Sequence, residues 1–204
     1  MKIVQWNLTS YGPQFEELKN LIQETSPSCL CLQETRHNTK TLHPPSGYNI
    51  ILSPPKIPND QNPPTPVNNR GVALLVSKTV HYRTLNINVP DSIEAVAAQV
   101  YDGKYYTVCS IYISPSIAIT QQELYDLVSQ LPRPLLMLGD MNAKHSSWGE
   151  GENNIRGRIF ERLISETDLC LLNDNENTHY SSQNNSYSLI DLSLSSADSF
   201  PDFT

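Results

Sequence analysis

The chain has 204 residues, 38% of them hydrophobic, and carries a formal net charge of −7. That length is enough for one domain over residues 1–204 with a sizeable core. No run of 18 apolar residues is present to cross a membrane, and the first residues lack the long apolar stretch of a secretory leader. The acidic balance excludes a protein held to nucleic acid by its overall charge, so such a function must rest on a local site, bound cations or basic groups supplied elsewhere.

In chain order, Ile3 to Trp6 reads as a short strand. Pro13 is placed to open a helix whose apolar positions Phe15, Leu18, Leu21 and Ile22 recur near 3.6-residue spacing, and Pro27 stops it. Leu30-Cys31-Leu32 is a continuous apolar run, the pattern of a strand covered on both faces. Cys29 and Cys31 alternate within it and should face one side as small buried hydrophobes; their spacing does not suit zinc. Tyr48 to Leu52 is a further strand, and the proline-rich stretch 53–69 reads as a long surface loop.

Gly71 to Val76 predicts a buried strand. Ile93 to Tyr101 and Tyr105 to Ile113 flank Asp102-Gly103, a dipeptide suited to a tight hairpin turn. Helices are expected over 122–131 and 158–166, and strands over 135–138, 169–172 and 189–194. Many strands mixed with a few helices point to an α/β sandwich of two packed sheets with helices outside.

Three apolar strands end directly in amide or acidic residues: Trp6-Asn7, Leu32-Gln33-Glu34 and Leu138-Gly139-Asp140-Met141-Asn142. Asp191 follows Leu189-Ile190 in the same manner, and Tyr112 sits inside an apolar strand. Strand ends on a rigid scaffold hold carboxylates close together without burying them in the core. An oxygen-ligand cluster of that kind favours a hard cation such as Mg²⁺, which bridges to phosphate and helps a nucleophile approach a phosphodiester anion.

The order of these blocks resembles the endonuclease/exonuclease/phosphatase superfamily, and within it the endonuclease domains of jockey-like non-LTR retrotransposons. The resemblance rests on Ile3-Val4-Gln5-Trp6-Asn7, Leu32-Gln33-Glu34-Thr35, Arg70-Gly71-Val72-Ala73, Ile111-Tyr112-Ile113 with Pro115, and above all Gly139-Asp140-Met141-Asn142-Ala143. Lys144-His145-Ser146-Ser147-Trp148-Gly149, Asn154-Ile155-Arg156-Gly157, Leu171-Leu172-Asn173, Thr178-His179 and Ser188-Leu189-Ile190-Asp191-Leu192 complete the series. It implies a deoxyribonuclease I-like four-layer α-β-β-α sandwich of two mixed sheets and an intracellular, nuclear endonuclease using Mg²⁺, for which Mn²⁺ can substitute. It further implies a DNA target, a nick leaving a 3′-hydroxyl that primes reverse transcription, and fusion to a reverse transcriptase.

Carried over by resemblance, Glu34 coordinates the metal, while Asp140 and Asn142 orient the attacking water and hold the scissile phosphate. Asn7 assists at the metal or phosphate, Tyr112 donates to a phosphate oxygen, Thr178 contacts the substrate and Asp191 orients a catalytic histidine. His145 and Trp148 are candidates to touch DNA, although Trp148 would serve equally to pin the loop after Asp140. Arg156 and Arg158 would contact the DNA backbone, or else cap a helix start or sit solvated.

One departure stands out. The family's closing Ser-Asp-His block occurs nowhere in the chain, and the resemblance ends at Ser199–Thr204, in the segment just before that block. The expectation is therefore a domain incomplete at its C-terminal end, without the family's last strand and with weak or no cutting of its own. Two other readings stand beside it: a catalytically silent, decayed or domesticated module that binds nucleic acid or protein, and a phosphodiesterase acting on another phosphate ester.

Overall fold

The computed structural model describes residues 1–37, 42–54, 70–181 and 185–203. The long loop expected over 53–69 therefore falls, from residue 55 onward, outside the described residues.

One sheet comprises β1 (Ile3–Asn7), β2 (Cys29–Gln33), β3 (Tyr48–Leu52) and β4 (Val72–Ser77), in the order β1-β2-β4-β3. β1 and β2 run parallel, joined through α1 (Phe15–Thr25), as parallel neighbours require a crossover. α1 begins two residues after Pro13 and ends where Ser26 turns left-handed and donates its N–H to Ile22 O. All five residues of β2 are buried. Cys29 and Cys31 face the second sheet, while Leu30 and Leu32 pack with Leu18 under α1.

The second sheet has six strands: β5 (Tyr82–Leu85), β6 (Glu94–Asp102), β7 (Lys104–Tyr112), β8 (Leu135–Asp140), β9 (Leu169–Leu171) and β12 (Asp191–Ser196). Their order is β5-β6-β7-β8-β12-β9. β7 and β8 are parallel and linked by α2 (Gln121–Ser129), which opens on a reciprocal capping box between Thr120 and Glu123. α3 (Ile155–Glu166) lies beside α2 over the outer face, where Leu124, Leu127, Phe160 and Leu163 enter the core. A short ribbon, β10 (His179–Ser181) with β11 (Ser186–Ser188), leads into β12.

The layers are thus α1, four strands, six strands, and α2 with α3. The sheets meet through Cys31, Leu74 and Val76 on one side and Val96, Val108 and Leu138 on the other. This is the expected α-β-β-α arrangement. Several details differ from the sequence expectations. β5, β10 and β11 were not anticipated; they are short, and most of their residues are exposed or only partly buried, so their apolar signal is weak. α3 starts at Ile155 rather than Arg158, because Asn154 caps it by accepting from Gly157 N–H. The strand expected over 189–194 is displaced to Asp191–Ser196, with Leu189 and Ile190 forming buried approach residues.

The hairpin between β6 and β7 orients the molecule. At one end Glu94 pairs with Tyr112; at the other Asp102 pairs with Lys104 around Gly103, whose φ is +74°. Both ends of the described chain gather at this second pole. The Met1 ammonium lies 2.5 Å from the Asp102 carboxylate, and Phe203 packs edge-on against Tyr106 at 5.6 Å. The parallel pair β7 and β8 approaches tightly at Gly139, where an added Cβ would lie 1.8 Å from the Ile111 carbonyl oxygen. Because that contact is backbone, Gly139→Ala is expected to cost at least about 3 kcal/mol, read as a lowered midpoint in denaturant unfolding.

Candidate active site

Register assembles the site. In the six-stranded sheet Tyr112 pairs with Asp140 and Asp140 pairs with Asp191, setting the three side chains in a row on neighbouring strands. In the other sheet Asn7 pairs with Gln33, and Glu34 follows at once. The same parity that points Cys29 and Cys31 between the sheets points Gln33, Gln5 and Asn7 there too. The polar residues closing each apolar strand therefore meet at one end of the core.

Hydrogen bonds join the two halves. The Asn7 side-chain amide donates to Asp140 Oδ2 at 2.8 Å and to Glu34 Oε1 at 3.2 Å. Tyr112 hydroxyl donates to the same Glu34 oxygen at 3.2 Å, and Arg70 Nη1 reaches Glu34 Oε2 at 2.9 Å. Gln5 donates to Asp191 Oδ1 at 2.9 Å. The cluster thus holds Glu34, Asp140 and Asp191, bridged mostly by neutral amides. Burial first, then the Asp191 charge, pushes the Asp140 carboxyl up to about 7, against hydrogen bonds from Asn7 and from the Asn142 backbone; Glu34 adds to the rise. The Tyr112 hydroxyl is likewise raised, by burial and then by Glu34 and Asp140, so it stays protonated as a donor.

Glu34 is held in an unusual backbone state, with φ of +51°, and Arg36 shares that value. Paired backbone bonds, Thr35 N–H to Gly71 O and Arg36 N–H to Arg70 O, fix this turn against the start of β4. Gly71 leaves no room for a side chain: a Cβ would sit 2.5 Å from His37 Nδ1 and 2.6 Å from Thr35 Oγ1. Both oxygens of buried Glu94 accept from the Arg70 and Gly71 N–H groups, which places the Arg70 side chain toward Glu34.

The segment after Asp140 forms a clasp. Asn142 has φ of +49°; its N–H donates to Asp140 Oδ1 and its side-chain amide donates to Ile113 O. Trp148 is only 1% exposed and spends its ring N–H on Ala143 O, so it pins this loop and offers no face to DNA. Arg156, expected as a phosphate contact, is also buried, and its guanidinium donates to the carbonyls of Asn142, Ser114 and Ile117. Gly157 belongs to the same clasp, since a Cβ there would lie 1.8 Å from Lys144 O.

The remaining candidates separate. Thr178 Oγ1 accepts from the Ile190 and Asp191 N–H groups, holding the main chain of Asp191. His145 stacks on Trp148 at 5.1 Å near the surface, its Nδ1 facing Ser147. Among the described residues no histidine hydrogen-bonds to Asp191; its Oδ1 accepts from Gln5 instead. Gln5, Gln33, Arg70 and Glu94 were missed as site residues, though two-residue alternation from Asn7 back to Gln5 was there to be read.

Known proteins place this geometry in context. The family model described as "Endonuclease-reverse transcriptase" matches residues 106–202. The endonuclease domain of TRAS1, a telomere-specific non-LTR retrotransposon, superposes with a TM-score of 0.76 at 18% identity, covering 98% of this chain and 87% of that one. The chain is thus similar to these endonucleases in fold and, over residues 106–202, in sequence. The 3′-5′ exonuclease from Neisseria meningitidis shares the fold, with a TM-score of 0.64 at 20% identity over 97% of this chain and 88% of its own. The probable RNA-directed DNA polymerase from transposon X-element of Drosophila melanogaster is 22% identical over 88% of this chain. That from mobile element jockey of the same organism is 25% identical over 89%. The chain spans 19% of the length of each of these two relatives.

The clasp reading of Arg156 gives a direct expectation. Arg156→Ala should destabilise the domain by about 3 kcal/mol through orphaned buried carbonyls. Its affinity for duplex DNA at low salt, measured below the melting transition, should stay within about twofold of the parent; a selective loss of affinity in a fully folded variant would restore the phosphate-contact role.

Proposed function

We propose that the chain is an endonuclease domain that nicks DNA in the presence of a divalent cation, leaving a 3′-hydroxyl that primes reverse transcription in a longer nuclear element. One observation carries the reading: Asn7, Glu34, Tyr112 and Asp140, drawn from two sheets, are hydrogen-bonded into one cluster with Asp191 in register beside them. Similarity to transposon-encoded polymerases supports the link to reverse transcription and to DNA as substrate.

The donor set suits a hard cation. Every first-choice ligand is an oxygen, and three carboxylates gather with Arg70 as the closest cation. Among the described residues no three His, Cys, Asp or Glu side chains form a cage of their own. That agrees with Mg²⁺, which is commonly held by one or two carboxylates together with water and substrate phosphate. Glu34 would hold the ion, which when bound would neutralise the phosphate and lower the barrier to attack by water.

The protein groups divide the remaining work. Asp140 accepts the proton of the attacking water, and its orientation is fixed by donors from Asn7 and Asn142. Tyr112 and Asn7, whose O–H and N–H donate to Glu34 here, would turn these donors to the non-bridging phosphate oxygens when substrate binds. Asp191 adds its charge to the cluster beside Asp140, and because among the described residues no imidazole partners it to protonate the departing oxygen, turnover is slow.

Nicking of supercoiled plasmid should require Mg²⁺ or Mn²⁺, vanish with chelator, and fall at least about 100-fold in Asp140→Asn. Free imidazole at millimolar concentration should accelerate the parent by supplying the missing acid. Nicking that ignores Asp140→Asn would point to a contaminant and remove the assignment. The absence of an Asp191–histidine pair also favours a second reading, a silent module that binds nucleic acid; tight DNA binding with no nicking in any divalent cation, imidazole present, would select it.

A further inference from the structure

We infer that Gln5, anchored by Gln33 and Ser110, is a positioning residue that holds the Asp191 carboxylate in register with the rest of the cluster; this rests on the nuclease reading above. Gln5 Nε2 donates to two acceptors at once, Gln33 Oε1 at 2.7 Å and Asp191 Oδ1 at 2.9 Å. Gln33 Nε2 in turn donates to Ser110 Oγ at 3.0 Å. Gln33 and Ser110 are fully buried, so this chain of amides lies inside the apolar layer between the sheets.

Direction and geometry give the network its meaning. Both amide hydrogens of Gln5 are committed, one to each acceptor, so the group can serve Asp191 only as a donor to its carboxylate. Gln33 cannot turn its amide over alone, because its nitrogen would then face the Gln5 nitrogen, donor against donor. The orientation of each amide is therefore set by the next, from the core outward to Asp191. The network also bridges the sheets at both of its ends: Gln5 and Gln33 belong to β1 and β2, Ser110 and Asp191 to β7 and β12. Asn7 joins Asp140 across the same gap one pleat further out. With both bridges made, lateral sliding of one sheet over the other would break these hydrogen bonds, of which that between Gln33 and Ser110 is fully buried.

Asp191 has little else to hold its carboxylate. Its main chain is fixed by pairing with Asp140 and by Thr178, but Gln5 is the described hydrogen-bond donor to its side chain. A group that supports an active carboxylate in this way commonly contributes about 10- to 100-fold to activity.

The test is single-turnover nicking of plasmid by the full chain in Mg²⁺, with enzyme in excess, for the parent, Gln5→Leu, Gln5→Met, Asp191→Ala and the Gln5→Leu/Asp191→Ala double variant. Gln5→Leu and Gln5→Met should lower the maximal rate about tenfold, with the half-saturating enzyme concentration unchanged. In the Asp191→Ala background the Gln5 change should add no further loss, because its effect runs through that carboxylate. An undiminished maximal rate in both Gln5 variants overturns the positioning role while leaving the nuclease assignment intact. An equal fold loss with and without Asp191 also overturns it, marking Gln5 as general scaffold. If the parent does not nick in any divalent cation with imidazole present, the nuclease reading fails first and this inference falls with it. Should Gln5→Leu fail to give a cooperative melt, Gln5→Met, which keeps the length of the side chain without its donors, decides the question.

Discussion

The side-chain amide of Asn7 is the joint on which the site depends. It reaches Asp140 across the sandwich while also touching Glu34, so one neutral donor brings carboxylates from two sheets together without cancelling their charge. An arginine in that position would neutralise the cluster and compete with a metal; an apolar residue would leave two buried carboxylates facing one another. An amide does neither. Burial and the neighbouring Asp191 and Glu34 carboxylates raise Asp140 to about 7, and the members of the cluster stay within reach of a shared ligand.

Around that joint the protein immobilises main chain rather than adding charge. Glu34 and Asn142 both occupy left-handed backbone states, uncommon for residues with side chains and tolerated where surroundings over-determine them. For Glu34 the surroundings are Gly71, Thr35 and the Glu94 carboxylate behind Arg70; for Asn142 they are Arg156, Asn154 and Trp148. Each of these two candidate site residues is thus fixed by a second ring of polar contacts that reaches the loop backbone. Such rings hold functional side chains to the tolerances chemistry needs.

Much of this was legible before the structure, for a physical reason. Strands covered on both faces must be continuously apolar, so an abrupt Asn, Gln-Glu or Gly-Asp at their ends marks where the core stops; Asn7, Glu34 and Asp140 announced themselves in this way. Period-two alternation likewise placed Cys29 and Cys31 between the sheets. Long-range partners were not legible. Arg70 and Gln5 sit in short stretches whose local chemistry is unremarkable until folding sets them beside Glu34 and Asp191. Trp148 and Arg156 misled in the opposite sense, because aromatic and cationic side chains in a polar loop look like ligand contacts. Here their donors close a loop on itself, and Gly157, which falls just before the expected helix start, is demanded by the Lys144 carbonyl pressed against it.

The placement of the two chain ends has a practical corollary. Tyr106, which receives Phe203, and Tyr112, which donates to Glu34, lie six residues apart on one extended strand, roughly 20 Å. A polypeptide tethered at Met1 or after Phe203 enters at the end of the sandwich remote from the carboxylates. Fluorescent tags, surface-immobilisation handles or neighbouring domains joined there stay clear of the carboxylate cluster.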